Sequence, residues 1–98
     1  MKKQLLDLKP MTTPEQIHEY LKFELDFPDH YGANLDALYD CLTDISEDTC
    51  IGLFYQTETD TKIGIYQKRI VKVFQDAEEE NEYIKVIYGD FADNFLAE

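Results

Sequence analysis

Between Tyr31 and Thr61 the sequence has no lysine and no arginine. Bases are scarce throughout: nine Lys and Arg stand against 21 Asp and Glu, for a formal charge of −12. That balance argues against nucleic acid or an anionic membrane as a partner, since either would require a basic footprint. It favours a cationic partner, because a field of one sign speeds encounter with the opposite sign. Cysteine is scarcer still. Cys41 and Cys50 are too few for a disulfide framework, and their spacing fits no zinc or redox motif. Both fall in apolar patterns and read as small core fillers. The opening Met1–Pro10 lacks the apolar centre of a signal peptide. No run reaches the roughly 18 apolar residues of a membrane span. A cytoplasmic location with reduced thiols is expected. With four glycines and no tryptophan, the chain has no Gly-rich phosphate loop, no nucleophile elbow and no histidine pair at metal spacing. We therefore expect no catalytic residues, no metal ligands and no cofactor.

What is present suits a globular domain. The hydrophobic fraction is 44%, with seven Tyr and six Phe. A chain of this length buries roughly 60–70% of its extended surface, so residues 1–98 are expected to form one domain. Lys3–Leu8 is an apolar run ended by Pro10 and reads as a first strand. A helix follows, with Thr13 as N-cap, Gln16 as its capping-box partner and Pro14 in the first turn, where a missing N–H costs nothing. Ile17, Tyr20, Leu21 and Leu25 mark its buried face, and Pro28 stops it. His18 on this helix is expected at the surface or its boundary. Thr49–Gln56 is near-continuously apolar, as in a buried parallel strand. The run from Lys62 to Glu80 reads as a long amphipathic helix, or a short turn feeding one, with Ile63, Tyr66, Ile70, Phe74 and Ala77 inward. Tyr83–Gly89 is the third strand. Strands alternating with helices predict an α/β fold with a small parallel sheet. The acidic segment from 90 to 98 is either a frayed tail or a short docked helix.

The informative segment lies between the first helix and the second strand. Gly32 permits a turn, Asn34 is a good N-cap, and a helix runs from Leu35 to about Ile45. Leu35, Leu38, Cys41, Leu42 and Ile45 share one face. Asp36, Asp40 and Asp44 share another, with Tyr39 between acid and core. Like charges four residues apart cost about 0.2–0.5 kcal/mol per pair, where a base at i+4 would gain as much. Asp36 has an ordinary explanation, since an acid in the first turn is favoured by the helix dipole. Asp40 and Asp44 have none, because they move toward the wrong end of that dipole. Asp36 and Asp40 could also be read as an acid–base dyad or a divalent-metal site, but the Gly-punctuated spacing of such sites is missing.

The segment Asp29–Asp44, DHYGANLDALYDCLTD, resembles the barstar family of intracellular ribonuclease inhibitors. The pattern Tyr-Gly-x-Asn-Leu-Asp-Ala-Leu-aromatic-Asp-x-Leu is that family's most diagnostic stretch. The resemblance implies a three-stranded parallel sheet packed against helices. It also implies a function, namely plugging the active site of a basic, secreted, guanyl-type ribonuclease. On that likeness, Asp40 occupies the RNA phosphate position and meets arginines and a histidine. Asp36 is its neighbouring acid and Tyr39 an aromatic platform. His30 and Gly32 belong to the approach loop, and Asp76 and Glu80 lie at the contact's edge. Asn34, Leu35, Thr43 and Asp44 complete the partner-binding set. Fast, charge-driven association is known of the family's barnase–barstar pair.

Some positions depart from the usual pattern. His30 stands for a tyrosine, Tyr39 for a tryptophan, and Asp44-Ile45 for Gly-Trp, while about 89–98 reads as a C-terminal extension. Changes concentrated on the contact surface imply a different ribonuclease or a nuclease toxin, for which this chain would be the immunity protein. A monomer is expected, there being no coiled-coil signal. The alternative is a module of the same fold that binds a basic non-nuclease protein.

Overall fold

The computed structural model describes residues 1–57 and 60–89. Chain order is β1 (Lys2–Asp7), α1 (Pro14–Glu24), α2 (Leu35–Thr43), β2 (Thr49–Phe54), α3 (Lys62–Glu80) and β3 (Ile84–Tyr88). The strands form a parallel sheet in the order β1-β2-β3. Register runs from Lys2 opposite Thr49 to Asp7 opposite Phe54, and from Thr49 opposite Ile84 to Leu53 opposite Tyr88. The α/β architecture is the expected one. The expected C-terminal extension lies, from residue 90 onward, outside the described residues.

Apolar periodicity explains the packing. Every residue of β2 is buried, as a central strand covered on both faces requires. Leu6, Leu8, Ile17, Leu21, Leu38, Leu42, Ile51, Leu53, Ile70, Phe74 and Ala77 are fully buried. Each large side chain among them contributes about 1.5–3 kcal/mol. The exposed edge of β3 is blunted by α3, since the Val86 N–H donates to Glu78 Oε2 at 2.8 Å.

Element ends depart from the expectations where side chains intercept the backbone. β2 stops at Phe54 rather than Gln56 because the Gln56 N–H donates to Gln67 Oε1 at 2.8 Å. β3 starts at Ile84 rather than Tyr83, whose N–H donates to Asn81 Oδ1 at 2.9 Å. β1 spans Lys2–Asp7 rather than Lys3–Leu8, although the Leu8 N–H still reaches Phe54 O. At the start of α1, Thr13 accepts from the Gln16 N–H as expected. The Gln16 side chain, however, accepts from the Thr12 N–H and so reaches one residue beyond a capping box.

His18 overturns its expectation. It is buried, at 2% exposure, with Nδ1 2.6 Å from the Tyr31 hydroxyl and Nε2 2.6 Å from the Tyr66 hydroxyl. Burial lowers its affinity for a proton, and the Glu15 carboxylate offsets this only in part. Two phenols satisfy both ring nitrogens, which is what permits a histidine in the interior.

Candidate functional site

The segment joining α1 to α2 is shaped by two left-handed residues. Asp26 (φ 55°) ends α1, with its own N–H on Phe23 O and the Phe27 N–H on Lys22 O, the two bonds of a Schellman motif. Ala33 (φ 52°) sits just before the α2 cap. Neither is glycine, and a non-glycine residue there costs about 1 kcal/mol. The turn expected at Gly32 is therefore made by Ala33. Gly32 sits close to the cap: a Cβ there would lie 3.2 Å from Asn34 Nδ2, which would have to shift by a few tenths of an ångström, and 3.4 Å from Ala37 Cβ, an ordinary contact.

Asn34 starts the helix. Its Oδ1 accepts from the Ala37 N–H at 2.8 Å, and its Nδ2 donates to Gly32 O at 3.2 Å. Loss of such a cap costs about 1 kcal/mol. Asn34→Ala is expected to lower unfolding free energy by about that amount, and Gly32→Ala by less, because it presses on the Nδ2 of the same side chain. Denaturant unfolding of the double variant should show less than the sum, since both changes act on one cap. Additive losses would mean that Gly32 serves something other than the cap.

From this start, α2 turns Leu38 and Leu42 into the core and leaves Asp36, Asp40 and Asp44 exposed. Leu35 is half-buried against the core. An open groove of about 450 Å³ lies between α2 and the preceding segment. Asp40 and Asp44 line it from α2, and Asp26 and His30 from the other side, over apolar Phe27 and Ile45. No lysine or arginine contributes to its wall. Asp36 lies one turn earlier, outside the lining. Asp26 is a wall residue that the sequence reading did not single out, and its only signal is an acid directly before Phe27-Pro28.

Tyr39, next to Asp40 on α2, packs partly buried against the core. Burial, reinforced by the carboxylates of Glu80, Asp76 and Asp40, pushes its hydroxyl above the usual tyrosine range. Asp40, Asp76 and Glu80 are thus near enough to act on the Tyr39 hydroxyl. Asp76 differs from the others, because Lys72 Nζ already donates to its Oδ1 at 2.9 Å in an exposed i,i+4 pair. Thr43 directs its hydroxyl to the carbonyls of Tyr39 and Asp40 (2.9 and 3.1 Å), so its donor is occupied by its own helix. Cys41 also lines the groove. Burial and then the neighbouring Asp40 and Asp44 push its thiol up, which keeps it protonated and a poor nucleophile.

The helix dipoles add to the field. Neither α2 nor α3 has a base in its last turn, although bases there are favoured. α3 instead ends in Glu78, Glu79 and Glu80, and Asp44 caps α2. The two C-terminal ends are neighbours, since Asn81, which caps α3, donates through Nδ2 to Leu42 O and Ile45 O at 2.9 Å each. Two negative dipole ends and a cluster of carboxylates therefore converge on one side of the molecule. Among the described residues no group of three or more His, Cys, Asp or Glu is arranged to hold a metal. No described helix is long and apolar enough to cross a membrane.

Two comparisons bear on this site. The family model described as Barstar (barnase inhibitor) matches residues 1–89. A Bacillus subtilis (strain 168) protein named "Putative ribonuclease inhibitor YrdF" is 40% identical over 81 residues, covering 82% of this chain and 89% of that protein.

Proposed function

The chain belongs to the barstar family, and from that premise we propose that it inhibits a ribonuclease. The target we infer is a basic, barnase-like guanyl-type enzyme or a related nuclease toxin, whose active site is filled by α2 and the loop before it. One observation carries this reading: a groove walled by Asp26, Asp40 and Asp44 without a base, beside two helix C-termini that themselves carry acids. Such a wall is costly in isolation and is compensated by a partner's cations. Asp40 acts as the phosphate mimic, with Asp44 and Asp36 on either side. Tyr39 is the aromatic anchor, and Glu80 and the Lys72-paired Asp76 form the edge of the contact. The inhibitor acts by occlusion as a monomer in the cytoplasm, where its free cysteines stay reduced.

Titration against a panel of guanyl-type ribonucleases and nuclease toxins tests this directly. A member of the panel is expected to lose activity stoichiometrically. Raising salt from about 0.01 M to about 1 M shrinks the screening length from about 30 Å to about 3 Å. The association rate constant is expected to fall by about tenfold or more over that range. Capture of a basic protein without nuclease activity, together with no inhibition across the panel, would reject the reading.

A further inference from the structure

The buried His18 lies outside the acidic face, yet it is bonded to the segment that forms one wall of the groove. Its Nδ1 meets the hydroxyl of Tyr31, and its Nε2 that of Tyr66 on α3, both at 2.6 Å. Tyr31 follows His30, which lines the groove, and precedes Gly32 and Asn34, which start α2. On its other side the Tyr31 ring packs on Phe27, with centroids 4.9 Å apart, and Phe27 is itself part of the core. Within the segment the Tyr31 N–H donates to Pro28 O at 2.9 Å. The ring of Tyr31 is thus held between a core phenylalanine and a histidine that is anchored in turn by the longest helix.

We propose that His18 is a positioning residue for inhibition: by bonding Tyr31 from α1 it fixes the loop that carries His30, and the start of α2, while the Tyr66 hydroxyl satisfies its other ring nitrogen. This rests on the reading of that loop and helix as the ribonuclease-binding surface. The chemistry suits the task. A neutral imidazole donates from one nitrogen and accepts at the other, so both phenols can be bonded at once and neither needs water. A phenylalanine of similar size would fill the space and hold neither. The short bond from α1 to Tyr31 also limits the loop to one arrangement, so binding need not order it at the moment of association.

Tyr31→Phe removes the hydroxyl that ties down the loop, whereas Tyr66→Phe removes the other link and leaves the loop bond intact. At a temperature where all variants are folded, Tyr31→Phe and His18→Phe are each expected to weaken inhibition of a susceptible ribonuclease by about tenfold. The double variant should be no weaker than either single one. Tyr66→Phe should lower the melting temperature while keeping inhibition within about twofold of the parent. Amide hydrogen exchange at residues 31–34 should quicken in Tyr31→Phe and His18→Phe and stay slow in Tyr66→Phe. Folded Tyr31→Phe inhibiting as well as the parent would overturn the proposal, as would equal losses in Tyr31→Phe and Tyr66→Phe. If the parent inhibits no ribonuclease at all, the functional reading fails by itself. The exchange experiment then decides the clamp alone, and unchanged exchange in Tyr31→Phe overturns it.

Discussion

Asp40→Ala is expected to abolish most inhibition while leaving the fold as stable as before, or slightly more so. The carboxylate is exposed, in the middle of α2, and far from the first turn where the dipole would reward it. Asp36 and Asp44 flank it at i−4 and i+4, each like-charge pair costing about 0.2–0.5 kcal/mol. Its removal relieves both. On the binding side, a central carboxylate that meets desolvated cations behaves as a hot spot, worth about 2 kcal/mol or more, or roughly 30-fold in affinity. That size is the general threshold for a hot spot; a carboxylate in the family's reference complex, barnase with barstar, is itself a known example above it. Asp40→Asn keeps the shape and removes the charge, so it should lose nearly as much. Asp36→Ala gives up a favourable first-turn charge while relieving repulsion from Asp40. Its stability should therefore change little, and its inhibition should fall less than that of Asp40→Ala. Ribonuclease titration and thermal melting on the same samples separate the two effects. Unchanged inhibition in Asp40→Ala would remove the phosphate-mimic role from this residue.

The contrast between Asp36 and Asp40 was legible in the sequence because it depends on helix position alone. The same is true of α3, whose apolar stripe is a local feature, and of the exposed acidic face of α2. The interior residues that sequence reading missed share one physical character: a polar side chain made acceptable there by partners far along the chain. His18 meets groups 13 and 48 residues away. Gln67, fully buried, donates to Leu8 O across 59 residues and accepts from the Gln56 N–H. No local pattern announces such partners. A weak signal did exist for His18, since at 100° per residue it falls within about 20° of Leu25 on the helical projection. Polarity argued against burial, and geometry decided otherwise. The end of α2 was misjudged for a related reason. Apolar periodicity continues to Ile45, but the helix stops at Thr43, and the carbonyls of Leu42 and Ile45 are taken by Asn81 from beyond α3.

Asn81 is accordingly where a single substitution should cost the fold most among its polar residues. It is 6% exposed, and its side chain satisfies three backbone groups: Leu42 O, Ile45 O and the Tyr83 N–H, each at 2.9 Å. Leaving a buried backbone group unpaired costs about 1–3 kcal/mol. With partial relief by water, Asn81→Ala is expected to lose about 3 kcal/mol in total, a large fraction of the 5–15 kcal/mol typical of a domain. Urea unfolding should show this as a lower midpoint with an unchanged slope. Asn81→Asp should fare no better at neutral pH, because a carboxylate would face two carbonyl oxygens. A buried acid of this kind has its folded pKa raised. Its penalty is present above the unfolded value of about 3.9 and shrinks as pH falls toward it, so Asn81→Asp should recover relative to Asn81→Ala in acid. The functional consequence follows from position. Asn81 holds the end of α2 that carries Asp40 and Asp44, so Asn81→Ala should weaken inhibition even where it remains folded. Gln67→Ala, which removes comparable bonds near Leu8 and Gln56, should not. Equal inhibition losses in the two variants, scaling only with the unfolded fraction, would show that Asn81 stabilises the chain without shaping its binding face.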